Sequence, residues 1–159
     1  MSQTNTERIR VGVADMAVTE EGIPLATSGL GSCVAVAIRA GEDVGGLLHA
    51  MLPAAPDEVE TAAKYVDSGI EEMLRSIDAL GGDRATYTAK VTGGSSMLDL
   101  ANGSPVGEEN VTAALTLLEE TGIDIAGSET GGDAGRSVVF DPSTGSLRIQ
   151  RVHEEETII

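Results

Sequence analysis

Cys33 is the single cysteine of this chain and His49 one of its two histidines, sixteen residues apart in a sequence of 159. A thiol and an imidazole are the smallest set that supports cysteine nucleophilic catalysis, because the imidazole holds the thiolate and later hands its proton to a departing amine. Cys33 closes the segment Thr27-Ser28-Gly29-Leu30-Gly31-Ser32-Cys33, a glycine-flexed turn that gives way to Val34-Ala35-Val36, and His49 stands in Gly45-Gly46-Leu47-Leu48-His49-Ala50-Met51-Leu52-Pro53. Each has a structural alternative. A cysteine ahead of an apolar run is more often a small buried hydrophobe, and a histidine between apolar residues a satisfied core side chain.

The spacing shifts that balance. If 33–39 and 45–51 form a hairpin turning near Gly41 to Asp43, a register in which facing residue numbers sum to 82 sets Cys33 opposite His49. A sum of 84 leaves them diagonal on one face, and 83 puts them on opposite faces. Two of these three registers bring thiol and imidazole together. Thr27 begins the turn, and its hydroxyl can accept the second imidazole N–H, as an Asp or Asn does in other triads. Its alternative is a strand-end threonine. Gly29 and Gly31 give backbone freedom, so N–H groups around Ser32 and Cys33 are candidate oxyanion donors.

These residues have to be positioned by a strand-rich scaffold. Apolar and polar residues alternate through 7–18, and further strand-like runs lie near 23–27, 33–39, 45–52, 86–92, 123–128, 137–141 and 146–151. Two segments have a helical period: Ala62, Ala63, Val66, Ile70, Met73, Leu74, Ile77 and Leu80, and then Val111, Ala114, Leu115 and Leu118. Gly81-Gly82 and Gly122 stop them, and Glu71, Glu72, Asp78, Glu119 and Glu120 are expected to face solvent. Residues 1–6 and 154–159 are the expected disordered ends. A single layered α/β domain spanning 1–159 follows. Gly93-Gly94-Ser95-Ser96 and Gly131-Gly132-Asp133-Ala134-Gly135 lack P-loop spacing and read as tight turns. Arg136 is a candidate to pair with a buried carboxylate or to help hold a partner, and His153 reads as exposed.

Composition narrows the classes. With 26 Asp and Glu against 10 Lys and Arg, the formal charge of −16 disfavours a nucleic-acid partner. Periodic blocks within 41% hydrophobic residues argue against disorder. The acidity is either an ordinary acidic surface or, as the sharper reading, that of a halophile, whose carboxylates keep the surface hydrated while salt screens their repulsion. No apolar stretch approaches the roughly 20 residues of a membrane span, and residues 1–10 hold no signal-peptide core, so a cytoplasmic protein without membrane insertion is expected. One cysteine and two histidines cannot build a multi-thiolate metal site, and no metal or other cofactor is expected.

The chain resembles the CheD family of chemoreceptor glutamine deamidases. The resemblance is carried by Thr27 to Val34, His49 to Pro53, Lys64-Tyr65-Val66-Asp67, Lys90-Val91-Thr92-Gly93-Gly94-Ser95, Val106-Gly107-Glu108-Glu109-Asn110-Val111, Gly131 to Arg136 and Thr144-Gly145. Thr92, Ser95 and Leu48 depart from the residues usual there, without touching Thr27, Cys33 or His49. The resemblance implies two packed mixed sheets with helices outside, an α+β layered sandwich. It also implies a triad of Cys33, His49 and Thr27 that hydrolyses receptor glutamine side chains to glutamate, with no cofactor. The implied partners are methyl-accepting chemoreceptors and a CheC-type phosphatase. Two other functions compete: a regulatory module that binds the phosphatase and receptors with little catalysis, and another cysteine acyl transfer such as transamidation or ester hydrolysis.

Overall fold

The computed structural model describes residues 7–96 and 106–159. The strands are β1 (Ile9–Arg10), β2 (Asp15–Thr19), β3 (Leu25–Leu30), β4 (Val34–Arg39), β5 (Gly45–Ala50), β6 (Thr88–Gly93), β7 (Asp124–Thr130), β8 (Arg136–Asp141), β9 (Ser146–Arg151) and β10 (Thr157–Ile158). The helices are α1 (Val66–Asp78) and α2 (Val106–Glu120). One sheet has the order β1-β3-β8-β9-β10 and the other β2-β5-β4-β6-β7. Each is mixed, because β1 runs parallel to β3, and β6 parallel to β7 across the α2 crossover, while the other pairs are antiparallel. The expected layered α+β sandwich is therefore the observed architecture.

The continuous apolar run of β4 is explained by its central place, since the strand is covered on both faces. Val34, Val36 and Ile38 meet the helices, and Ala35 and Ala37 meet the first sheet. On α1 the stripe of Val66, Ile70, Met73, Leu74 and Ile77 is wholly buried, each side chain contributing roughly 1.5–3 kcal/mol of burial. Gly69 on α1 leaves room for the buried Leu48, whose Cδ1 would lie 2.8 Å from a Cβ at that position.

Three expectations need correction. Residues 7–18 are not one strand: Val11 N–H still bonds Ala26 O in the first sheet, then Ala14 turns at φ 59° and β2 joins the second sheet. The first helical stripe is interrupted, because Ala62–Lys64 form a 3₁₀ turn, Tyr65 is extended, and Leu80 lies exposed beyond α1. The C-terminal end is ordered: Ile159 exchanges two hydrogen bonds with Leu147 and joins the core between the sheets. Short apolar tails gain order once a sheet edge offers unpaired backbone groups. Residues 1–6 lie outside the described residues. Gly81 and Gly122 follow the helices with φ of 95° and 77°, as helix-ending glycines do, and His153 is exposed.

Candidate active site

β4 and β5 form the hairpin, with Val34 facing Ala50 and Ala35 facing His49. Facing numbers sum to 84, the diagonal register. Cys33 sits just beyond the last pair on the face of Ala35, Ala37 and Leu47, and His49 shares Leu47's parity. Both therefore look toward the first sheet. Diagonal neighbours have Cα atoms about 7–8 Å apart, a span that longer side chains cross.

Thr27 comes from that opposite sheet, where it pairs with Val138. Its Oγ1 lies 2.7 Å from His49 Nδ1 and donates at 2.7 Å to the backbone oxygen of Val11. A hydroxyl has one proton and a carbonyl can only accept, so the proton goes to Val11 and Nδ1 must carry the N–H of the second contact. The tautomer follows: Nε2 is left with its lone pair. His49 is fully buried and Nε2 has no hydrogen-bond partner. An unpaired buried acceptor costs about 1–3 kcal/mol, so Nε2 is available to accept a proton or a hydrogen bond.

Burial pushes the Cys33 thiol above its ordinary 9.0, with its own backbone N–H working the other way. Burial also pulls His49 below its ordinary 6.5. Desolvation penalises both charged forms and so favours a neutral thiol beside a neutral imidazole at rest. The arrangement is suited to a base that removes the thiol proton as the sulfur attacks.

Three consecutive carbonyls fix the segment that carries Cys33. Gly31 O accepts from Ser95 N–H at 2.8 Å, Ser32 O from Asn110 Nδ2 at 2.9 Å, and Cys33 O from Gly94 N–H at 2.8 Å. The Gly93-Gly94-Ser95 turn is therefore a brace for Cys33 as well as a connection. Asn110 was overlooked as a site residue in the sequence, although a signal exists: it extends the Ala114 and Leu118 stripe back by one turn, where a polar side chain is out of place.

Arg136 fulfils its carboxylate pairing. Glu129 accepts from Arg136 Nε at 2.8 Å, Arg151 Nη1 at 2.8 Å and the Thr92 hydroxyl at 3.0 Å. Burial raises the Glu129 carboxyl, but these partners outweigh it and hold it below its ordinary range. Thr92 lies in the row of Ala35 and His49, so this cluster is a second polar bridge between the sheets. Among the described residues no group of three or more His, Cys, Asp or Glu is placed to hold a metal. Nor is any described helix long and apolar enough to cross a membrane.

Residues 51–151 match the family described as CheD chemotactic sensory transduction. A probable chemoreceptor glutamine deamidase CheD of Haloarcula marismortui is 39% identical over 156 residues, spanning 96% of this chain and 90% of the relative. Another, of Natronomonas pharaonis, is 38% identical over 158 residues, with 97% and 94% covered. The chemoreceptor glutamine deamidase CheD of Halalkalibacterium halodurans is 34% identical over 155 residues, with 93% and 96% covered.

Proposed function

The chain belongs to the CheD family, and from that premise we propose that it hydrolyses glutamine side-chain amides of chemoreceptors to glutamate, using Cys33 as nucleophile, His49 as base and acid, and Thr27 to hold the imidazole. The observation that carries the reading is the Val11–Thr27–His49 chain of hydrogen bonds, which leaves a bare, buried Nε2 on the face that also bears Cys33.

The reaction runs in two halves. Nε2 removes the thiol proton as sulfur bonds to the carboxamide carbon, whose oxygen becomes an oxyanion beside the backbone N–H of Cys33. The C–N bond then breaks, the imidazolium gives its proton to the leaving nitrogen, and ammonia departs from a thioester. Water, deprotonated by the same Nε2, attacks that thioester, and sulfur leaves as the restored thiol. Nothing beyond water is consumed, and no step requires a cofactor. Each event adds one negative charge to the receptor's cytoplasmic helices. A CheC-type phosphatase is the second partner we propose, on family membership alone; co-elution of the two purified proteins tests it.

Intact-mass spectrometry of a purified receptor tests the reaction. Incubation with this protein should add about 1 Da per modified glutamine as an amide nitrogen is exchanged for oxygen. Cys33→Ser should lower the rate by several orders of magnitude, and His49→Ala similarly, because a triad's members act as a unit. A Cys33→Ser protein keeping more than about a tenth of the activity would end this mechanism. Amine incorporation in place of hydrolysis would reassign the reaction to acyl transfer.

A further inference from the structure

Asn110 lies in the second turn of α2, with no solvent exposure. Its Nδ2 donates twice, to Ser32 O at 2.9 Å and to Met51 O at 3.0 Å, while its Oδ1 is buried without a partner. The two acceptors are the carbonyl just before Cys33 and the one two residues after His49. Both lie beyond Val34 and Ala50, the last facing pair of the hairpin. One primary amide has two protons, and both are spent here. The reverse orientation would set Oδ1 against two carbonyl oxygens, so the amide can stand only this way round.

The peptide joining Ser32 to Cys33 is planar, with its C=O and N–H pointing in opposite directions. Holding Ser32 O against α2 therefore turns the Cys33 N–H away from α2, toward the face of the second sheet that bears its thiol. The neighbouring carbonyls of Gly31 and Cys33 are held by Ser95 and Gly94, so the 32–33 plane is the one whose orientation depends on a side chain. α2 can reach it because Gly107 has no Cβ, which would stand 2.4 Å from Ser95 O.

We propose that Asn110 is a positioning residue of the reaction: it sets the Ser32–Cys33 peptide so that the Cys33 N–H faces the sulfur and the developing oxyanion, and it ties that peptide to the strand end bearing His49. The inference rests on the deamidase reading of the Cys33 site. Asn110 touches no substrate, and it acts through the backbone of Ser32 and Met51. An apolar side chain there would remove the stranded Oδ1 but leave the carbonyls of Ser32 and Met51 without their donor, so a kinetic readout has to separate positioning from stability.

The test compares the wild type, Asn110→Ala and Leu118→Ala, the last a buried α2 residue remote from Cys33 that lowers stability without touching the nucleophile segment. Removing an oxyanion donor outright costs about 10²–10³ in kcat, so a donor that is only mis-aimed should cost at least about tenfold. KM for the receptor should stay within about twofold. Leu118→Ala, assayed well below its unfolding midpoint, should keep kcat within about twofold. Cys33 alkylation by iodoacetamide, measured without receptor and hence independent of the natural reaction, should slow at least about threefold near pH 8 in Asn110→Ala as the thiolate loses its amide. Faster alkylation, or a kcat loss no larger than that of Leu118→Ala, would overturn the proposal. Should Asn110→Ala fail to fold, NMR of the wild type decides: the Asn110 side-chain amide protons must exchange slowly, and fast exchange refutes the clamp. Activity surviving in Cys33→Ser would instead defeat the deamidase site itself, a separate outcome.

Discussion

At the scale of single residues, Thr27 is the member of the proposed triad with the least obvious credentials, and two hydrogen bonds of 2.7 Å are what support its place there. Thr27→Val keeps the shape but leaves Val11 O without its donor and Nδ1–H without its acceptor, freeing the ring to turn. We expect kcat to fall about 10²-fold with receptor binding kept, while Thr27→Ser stays near wild type. Unchanged turnover with weakened binding would move Thr27 to the recognition surface. The neutral resting pair makes a second prediction. Alkylation of Cys33 should stay slow near about pH 6 and climb only toward the thiol's raised range, whereas a thiolate–imidazolium pair would give a reactive plateau at acid pH. His49 also links stability to pH. Its folded value is lowered, so between the ordinary 6.5 and that lower value the unfolded chain holds more protons than the folded one. Stability contributed by the neutral ring is therefore present above 6.5 and is lost as pH falls from there toward the folded value.

At the scale of elements, the site depends on how closely α2 seats on the Gly93-Gly94-Ser95 turn. A Cβ at Gly107 would stand 2.4 Å from Ser95 O and 2.7 Å from Gly94 O, both backbone atoms that cannot swing aside. Gly107→Ala gains about 1 kcal/mol of helix propensity and loses about 1–3 kcal/mol to overpacking, so overpacking wins. Urea unfolding should show a net loss of up to about 2 kcal/mol. Turnover should drop beyond what that loss explains, because the turn that shifts holds the carbonyls of Gly31 and Cys33. A stabilised Gly107→Ala with full activity would mean that α2 can move without disturbing the nucleophile. The open groove of about 700 Å³ between α1 and α2, lined in part by Pro53, Glu71, Glu108 and Leu117, lies on the other face of the second sheet from Cys33 and takes no part in this.

At the scale of the whole molecule, a net charge of −16 on 159 residues repels itself wherever salt is low. The Debye length falls from about 30 Å at 0.01 M to about 3 Å at 1 M, so the thermal midpoint should climb with KCl. Concentrated salt also favours apolar burial, and a chloride that salts out poorly must be run beside KCl from about 0.05 to 3 M. Midpoints that stay flat or fall in both series would show that the acidity is no adaptation to salt, leaving the triad untouched. Between the sheets the charges are handled differently, by pairing Glu129 with Arg136 and Arg151, so screening should matter less there.

Periodicity and glycine placement were enough to read the strands from β3 to β9, both helices and the β4–β5 hairpin, because these patterns are local: alternation and the 3.6-residue repeat each need only neighbouring residues. The single cysteine, the histidine sixteen residues on and the threonine six residues before it were legible for the same reason, helped by a resemblance that rests on contiguous words. The choice between registers summing to 82 and 84 was not legible, since both keep the same faces buried and only packing against the first sheet and α1 separates them. Nor could the sequence split 7–18 between two sheets, or attach Thr157–Ile158 to β9, for strand pairing is decided by which distant edges are free. Asn110 shows the limit most clearly. It lies 77 residues from Cys33 and 61 from His49 in the sequence, and only the docking of α2 against the second sheet sets one side-chain amide between the carbonyls that flank them both.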